Sequence, residues 1–360
     1  MCPRKCEVDA MKISQLKKTT RTDFLTYAGV IAAFVIMSVL QSSGSLSRSL
    51  IGQLVPICCY MSMAVSLNLT VGILGELSLG HAGFMGIGAF IGIIVTSLLA
   101  EAVPNGVLRL VIGMIVGGVL AGLVGFVIGI PVLRLRGDYL AIVTLAFGEI
   151  IKSIFNNLYV GVDSKGIHMS LLSDKTNLAE GGKLIIAGPM GIGGIQKIST
   201  FTAGFILVLL TLVVVFNLVN SRAGRAIMAI RDNRIAAESV GVNVTKYKMM
   251  AFVTSAALAG SAGALFAMNY STIVANKFDF NTSILVLVFV VLGGLGNMLG
   301  SIVAAAALTI LPEALRQFSD YRMLVYAIVL ILVMLVTNNP TLKSFFSRFK
   351  PGNRSGKEAV

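Results

Sequence analysis

The sequence predicts an all-α polytopic membrane protein with about ten transmembrane helices. Hydrophobic residues make up 56% of the 360-residue chain and charged residues only 12%, whereas about 25% of an average soluble domain is charged. Apolar stretches of about 20 residues, the length that crosses a bilayer, recur along the chain. Lysine and arginine concentrate in polar segments between these stretches, as they do in the cytoplasmic loops of membrane proteins.

The spans follow from this length criterion, taken in chain order. We place them near residues 24–40, 53–72, 83–100, 108–131, 139–159, 201–220, 249–271, 284–298, 300–316 and 322–338. The span at 108–131 contains three pairs of glycines spaced four residues apart, beginning at Gly113, Gly118 and Gly125. Such small-residue steps let helices approach closely in lipid, so we expect tight packing between helices.

The positions of lysine and arginine predict the orientation of the chain. Nineteen of the 29 basic residues lie in four segments, 1–23, 132–138, 221–248 and 341–360. Because cytoplasmic loops are enriched in basic residues, we expect an even number of spans with both termini in the cytoplasm. Two basic tails, 1–23 and 341–360, then flank a transmembrane domain over 24–340. The net charge of +13 is explained by attraction to anionic lipid, and nucleic acid is not expected as a partner.

The segment 160–200, on the outer side in this topology, is turn-rich and mixed in charge. Loops of this length are usually functional, so we expect it to meet a partner or a substrate. Catalytic or metal-binding chemistry is not expected. The two histidines, His81 and His168, are isolated, and no Cys, His or acidic residues have the spacing of metal ligands.

The stretch GELSLGHAGFMGIGAF at 75–90 interrupts the apolar runs with glycine and polar residues. Irregular backbone at membrane depth is tolerated only where protein or a water-filled cavity covers it. We therefore predict a broken or re-entrant segment near 75–84, of the kind that often marks a transport path. Its residues either line that path or cap helix ends and hold subunits together. The residues concerned are Glu76, Ser78, Gly80, His81 and Gly83.

A second polar position lies inside the predicted span at 139–159. Glu149 is an acidic residue among apolar ones, which is costly in a membrane unless the charge is paired or hydrated. Lys152 follows three residues later, on the same face of a helix. We expect a structural ion pair, with a place on the transport path as the alternative.

The segment SRAGRAIMAIRDNRIAAESVGVNVTKYKMMAF at 221–252 is too charged to cross a membrane. It predicts a helix over 225–241 that ends at Gly241, a residue type common just after a helix. From composition alone, an amphipathic helix lying on anionic lipid is the favoured interpretation. Docking against a cytoplasmic partner is the alternative.

Four blocks of the sequence resemble the LivM-type permeases of bacterial branched-chain amino acid ABC importers. They are GELSLGHAGFMGIGAF (75–90), GDYLAIVTLAFGEIIK (137–152), RDNRIAAESVGVNVTKYKMMAFVTSAALAGSAGALFA (231–267) and VLGGLGNMLGSIVAAAAL (291–308). The blocks occur in order within a resemblance that covers about residues 50–340. This resemblance favours a coupling helix, rather than a lipid-surface helix, at 225–241.

The resemblance implies an ABC importer permease fold in the bacterial cell membrane. Such a permease forms half of the translocation path together with a LivH-like subunit. Two cytoplasmic ATPase subunits drive it, and an extracytoplasmic binding protein delivers the substrate. This chain has no G-x-x-x-x-G-K-[ST] motif, so ATP is expected to be hydrolysed by the partners, and no cofactor is expected in this chain.

The resemblance also implies roles for residues of the cytoplasmic coupling loop, 221–248. Small residues would let the helix sit in a groove on an ATPase, and charged residues would contact the rim of that groove. The expected coupling residues are Arg225, Arg231, Arg234, Ala236, Ala237, Glu238 and Gly241.

Other functions stay open at this stage. Similar permeases serve urea, short amides or other amino acids, so leucine, isoleucine and valine are the first but not the sole candidate substrates. An ion-coupled secondary transporter would also have about ten spans and a broken helix, but it would not need a coupling helix. A membrane-embedded enzyme would need a catalytic constellation, which the sequence does not contain.

Overall fold

The computed structural model describes residues 24–44, 47–100, 102–135, 137–163, 166–171 and 183–315, together with 324, 327, 328 and 331. The expected basic tails and almost all of the last predicted span, 322–338, lie outside the described residues. The chain divides into two compact units, Met1–Ala307 and Leu308–Val360. Nearly all of the described residues belong to the first unit.

The described part of the chain is mainly helical. Its helices are α1 Phe24–Ser42, α2 Arg48–Asn68, α3 His81–Leu98, α4 Gly106–Val132, α5 Asp138–Asn157, α6 Phe201–Asn220, α7 Arg222–Asp232, α8 Arg234–Ser239, α9 Val244–Ala267, α10 Phe280–Gly293 and α11 Met298–Ala314. A π-helical turn, Leu69–Ile73, continues α2, and a 3₁₀ turn, Ala275–Phe278, precedes α10.

Short strands occupy much of the segment that we expected to be a turn-rich loop. They are β1 Leu158–Asp163, β2 Gly166–Leu171, β3 Lys183–Ala187 and β4 Ile192–Gly193, and a further strand, β5 Thr272–Ile273, follows α9. Strand β1 lies between β2 and β3 in an antiparallel sheet, with Val160 opposite both Met169 and Ile186. Strand β4 pairs with β5, which ties this segment to the end of α9.

Seven helices in the described residues are long and apolar enough to cross a membrane. They are α1, α2 with its π-helical turn, α3, α4, α6, α9 and the stretch Ala275–Gly293 that contains α10. The predicted span 139–159 corresponds to α5, which is not among these seven helices. Helix α5 carries the charged residues Asp138, Glu149 and Lys152. Helix α11 is a shorter apolar helix. The count of about ten is therefore approximate, although the predicted helical class holds.

Helices α3, α4 and α9 pack with their backbones in contact, as the glycine spacing predicted. A Cβ atom added at Gly88 of α3 would lie 1.9 Å from the carbonyl oxygen of Gly260 in α9. A Cβ at Gly263 would lie 1.9 Å from the carbonyl oxygen of Met85, and one at Gly117 of α4 would lie 2.9 Å from that of Gly88. These separations leave no room for side chains, so glycine is required at the crossing points.

An apolar core joins the end of α2 to α6, α7 and α9. Its buried residues include Leu69, Ile73, Ile227 and Ala251. Ile227 belongs to α7, whose strongly charged sequence nevertheless presents this apolar side chain to the core. The core therefore holds the α7–α8 region against the point where α2 is interrupted.

Candidate functional site

The predicted break between two spans is present. Helix α2 widens into the π-helical turn at Leu69–Ile73, residues 74–80 are not helical, and α3 begins at His81. Gly75 has φ +77°, a conformation that other residues rarely adopt. Single π-helical turns occur frequently at functional sites. Of the predicted range 75–84, the last four residues belong to α3, so the break ends earlier than expected.

Glu76 in the break forms an ion pair with Lys248 near the start of α9. Lys248 is only 3% exposed, so the pair is largely removed from solvent. From the sequence, Lys248 was expected to be one of the basic residues of the cytoplasmic loop, with no partner assigned to it. An acidic residue in a membrane-embedded segment needs a cation as a partner. The two side chains are 172 residues apart in the sequence, so the sequence alone did not identify Lys248 as that partner.

His81 and Ser78 are both buried inside the chain. The Nε2 atom of His81 lies 2.9 Å from the hydroxyl of Ser66 in α2 and 3.4 Å from that of Ser255 in α9. The hydroxyl of Ser255 donates to the carbonyl oxygen of Ser66 at 2.5 Å. His81 thus connects three helices of one chain. The Nδ1 atom of His81 and the hydroxyl of Ser78 have no hydrogen-bond partner among the described residues.

Hydroxyl groups from α5 and α10 hold the N-terminus of α3. The backbone N–H of Leu79 donates to Thr144 at 3.0 Å, and that of Ala82 donates to Ser283 at 3.1 Å. The bond from Ala82 satisfies an N–H group that the start of α3 leaves unpaired, and the bond from Leu79 holds the residue before the N-cap Gly80. Gly80 lies against α5 so closely that an added Cβ would be 2.2 Å from the carbonyl oxygen of Thr144. At Gly83, the corresponding distance to Cα of Gly148 is 3.0 Å.

Glu149 forms the expected ion pair with Lys152 along α5. Its carboxylate also accepts the backbone N–H of Phe280, the first residue of α10, at 3.2 Å. The Glu149 side chain is 37% exposed. Because ionised groups within a membrane protein face water, the bundle interior or a partner, this face of α5 remains a candidate for the transport path.

The helix predicted over 225–241 is two helices, so that prediction was wrong in its detail. Helix α7 ends at Asp232 and α8 begins at Arg234, with Asn233 between them in an extended conformation. The side chain of Asn233 accepts the backbone N–H of Ala236 at 3.0 Å, which is an N-cap interaction that favours a new helix start. We call α7 and α8 together the α7–α8 hairpin.

Gly241 ends the hairpin as predicted. It has φ +84°, its N–H donates to the carbonyl oxygen of Glu238 at 3.0 Å, and the N–H of Val242 donates to that of Ala237 at 3.0 Å. This arrangement is a glycine C-cap. An added Cβ at Gly241 would meet no atom within 4 Å, so the glycine is required here by backbone conformation and not by a close neighbour.

Several expected coupling residues contact this chain itself. Ala237 is buried with Ile230 and Val244, which makes it part of the hairpin's own core and not of its outer surface. Arg231 donates from Nη1 to the carbonyl oxygen of Gly72 at 3.0 Å. Arg234 pairs with Glu238 at 3.0 Å along α8.

The outer surface of the hairpin carries apolar residues that the sequence analysis missed. Ile235 is 80% exposed and Val240 is 78% exposed, and Ala236 lies exposed between them in sequence. Arg225 is also exposed, and its guanidinium donates to the carbonyl oxygen of Asn220 at 3.3 Å. The exposed apolar positions could have been found by asking which residues of α8 lie opposite its buried face.

The other end of α9 is fastened by different contacts. The Nζ atom of Lys277 lies 4.0 Å from the ring centroid of Tyr270, a cation–π arrangement. Burial raises the pKa of Tyr270 to about 12. Arg109 of α4 donates to Gln196 at 2.9 Å.

In the described residues, no three His, Cys, Asp or Glu side chains are grouped so that they could hold a metal ion.

Apolar spans packed through glycines, a break held by polar groups and an amphipathic hairpin beside that break define a multi-pass membrane protein of the transport class. The chain belongs to the family described as branched-chain amino acid transport system / permease component, whose profile matches residues 49–334.

Named relatives agree with this family. The high-affinity branched-chain amino acid transport system permease protein LivM of Salmonella typhimurium is 34% identical over 317 residues, which is 83% of this chain and 72% of that protein. LivM of Escherichia coli is 34% identical over 286 residues, 77% of this chain and 66% of its own length. The autoinducer 2 import system permease protein LsrC of Enterobacter sp. is 27% identical over 201 residues, 50% of this chain and 58% of its own. No solved structure matches the chain significantly.

Proposed function

We propose that this chain is the membrane-spanning permease subunit of an ATP-driven importer of branched-chain or other hydrophobic amino acids. It forms half of the translocation path and works by alternating access. The observation that carries the proposal is the family match over residues 49–334, together with 34% identity to two LivM permeases. Ser78 in the break and the exposed face of α5 that carries Glu149 and Lys152 supply polar groups that a path for a zwitterion needs.

The partners in this proposal are a LivH-like permease subunit, two cytoplasmic ATPase subunits and an extracytoplasmic binding protein. ATP is hydrolysed by the ATPases, and this chain needs no cofactor. Helix α6 is 20 residues long, or about 30 Å, and it separates the strand segment from the α7–α8 hairpin. The hairpin, in the more basic segment, faces the ATPases in the cytoplasm, and the strands face the binding protein. With the ten spans expected from the sequence, both termini are cytoplasmic in a bacterial cell membrane.

The docking surface for an ATPase is the exposed face of α8, opposite the face that packs on the rest of this chain. Its centre consists of Ile235, Ala236 and Val240, which are exposed in this chain. The ion pair of Arg234 with Glu238 lies at its edge. Exposed apolar residues with a charged rim are typical of a surface that a partner covers.

Replacing both Ile235 and Val240 by serine is expected to weaken binding of the ATPases while the permease stays inserted. Burying one such side chain stabilises a contact by about 1.5–3 kcal/mol, so we expect a loss of affinity of roughly tenfold or more. The measurement is co-purification of the ATPases with the membrane subunits. Met190, which is 79% exposed in the 3₁₀ turn after β3, supplies a matched control, because Met190→Ser removes an equally exposed apolar side chain beyond the far end of α6.

Undiminished co-purification with the double serine variant would return α8 to the lipid-surface interpretation. Substitutions at Ala237 or Gly241, two other expected coupling residues, would not test docking cleanly. Tryptophan at 237 would disrupt the core formed with Ile230 and Val244, and glutamate at 241 would have to adopt φ +84°.

Transport by the assembled complex tests the proposal as a whole. Proteoliposomes that contain both permease subunits, the ATPases and the binding protein are expected to import radiolabelled leucine when ATP is supplied, with competition by valine and isoleucine. The chain alone is expected neither to hydrolyse ATP nor to import leucine. Competition by urea or short amides in place of valine would assign a different substrate. Uptake by the chain alone under a sodium or proton gradient would indicate a secondary transporter.

A further inference from the structure

The end of α2 and the start of the break are bonded to several other elements. We call residues 68–76 the α2 junction. Asn68 accepts the backbone N–H of Gly296, between α10 and α11, at 2.8 Å, and it donates to Ser301 of α11 at 2.9 Å. Asn68 is completely buried. These two bonds attach one side of the α2 junction to the helices that follow α9.

Arg231, in the last turn of α7, attaches the hairpin to the α2 junction. Its guanidinium donates to the carbonyl oxygen of Gly72. Its methylene chain lies so close to Gly75 that a Cβ added there would be 2.6 Å from Cγ of Arg231. The arginine therefore contacts the junction on both sides of the point where the helix ends.

Lys248 attaches the same junction to the other flank of the hairpin. Helix α9 begins at Val244, three residues after the hairpin ends at Gly241, and Lys248 pairs with Glu76. A displacement of the hairpin is thus connected to the break in two ways. One is the hydrogen bond of Arg231, which lies inside the hairpin, and the other is the buried ion pair of Glu76 with Lys248, which follows the hairpin in the sequence. The apolar core that contains both Ile227 and Ile73 also joins these parts, but apolar packing is non-directional, whereas hydrogen bonds and ion pairs fix relative position.

We propose that Arg231 and the ion pair of Glu76 with Lys248 transmit movement of the α7–α8 hairpin to the break between α2 and α3. All three are positioning residues, which touch neither ATP nor the transported solute. The inference rests on the proposed function, in which the hairpin docks on an ATPase. It assigns Arg231 a role inside the permease instead of the ATPase contact expected from the sequence.

The test compares leucine imported with ATP hydrolysed in assembled complexes in proteoliposomes. Arg231→Met and Lys248→Met are expected to keep the ATPases bound and hydrolysing while the ratio of leucine to ATP falls roughly tenfold, which corresponds to about 1.4 kcal/mol in the barrier of the coupled step. Exchanging the charges, with Glu76→Lys and Lys248→Glu together, is expected to restore the ratio relative to either single change, and Arg231→Lys to retain more of it than Arg231→Met. Lys246→Met is the matched control, because Lys246 is exposed in the same turn of α9.

Two results would overturn the inference. One is a ratio that stays at the wild-type value in both methionine variants, whatever happens to yield or thermal stability, since the contacts would then only hold the fold. The other is an equal fall with Lys246→Met. If Lys248→Met does not insert, the double variant Glu76→Gln and Lys248→Gln, which keeps a hydrogen bond without charge, gives the same comparison. Failure of the wild-type complex to import leucine would instead refute the proposed function.

Discussion

Leucine in place of Gly88 is expected to prevent formation of a stable helical bundle. The Cβ atom would lie 1.9 Å from the carbonyl oxygen of Gly260 and 2.5 Å from its Cα, which are backbone atoms of α9 that cannot rotate away. Overpacking costs about 1–3 kcal/mol where side chains can adjust, and a backbone clash leaves fewer ways to adjust. We therefore expect no monodisperse protein in detergent, and Gly88→Ala is expected to lower the unfolding temperature.

Gly52 of α2 is the matched control for this experiment. An added Cβ there meets no atom within 4 Å, so Gly52→Leu tests the effect of leucine in a helix of the same protein without the clash. It is expected to give the wild-type yield and unfolding temperature. An unfolding temperature for Gly88→Leu equal to that of Gly52→Leu would show that α3 and α9 do not meet through their backbones at this point.

Alanine in place of Gly80 is expected to abolish or strongly reduce leucine uptake by the assembled complex while the permease remains in the membrane. The added Cβ would lie 2.2 Å from the carbonyl oxygen of Thr144, so α3 or α5 has to shift at the edge of the break. A shift that raises the barrier of the transport cycle by about 1.4 kcal/mol is sufficient for a roughly tenfold loss of rate. The measurement is initial uptake, normalised to permease in the vesicles.

Gly83→Ala is the comparison that isolates the effect of the break. At Gly83 the added Cβ would be 3.0 Å from Cα of Gly148, so a movement of a few tenths of an ångström accommodates it. We expect Gly83→Ala to retain more uptake than Gly80→Ala, whereas leucine at either position is expected to abolish uptake. Equal uptake by the two alanine variants would contradict the assignment of a special role to Gly80 at the end of the break.

Local interactions were predictable because both partners lie close in the sequence. The pairing of Glu149 with Lys152 needed only the geometry of one helix, and the C-cap at Gly241 needed only the preference of glycine for positive φ. The break near 75–84 was predictable in the same way, from polar residues and glycines in an apolar context. Its end was placed late because nothing local distinguishes Gly83, inside α3, from Gly80, before it.

In the α7–α8 hairpin, the sequence did not predict which residues are buried or where the helix is divided. Ala236 and Ala237 are adjacent and chemically identical, so the sequence offered no reason to separate them. The fold buries Ala237 against Ile230 and Val244 and leaves Ala236 exposed. The side chain of Asn233 caps α8 and divides a stretch whose helical propensity favoured one continuous helix. These outcomes depend on which face of α8 meets α7 and α9.

The sequence by itself determined the membrane class, the approximate spans, the position of the break and the amphipathic segment, because each depends on composition or on residues within a few turns of each other. Only the tertiary structure decided that Glu76 pairs with Lys248, that Arg231 bonds to Gly72, and that Gly88 faces Gly260. Those pairs are separated by more than 150 residues. One basic residue among 29, or one glycine among 38, becomes the partner only when helix packing brings the two atoms together.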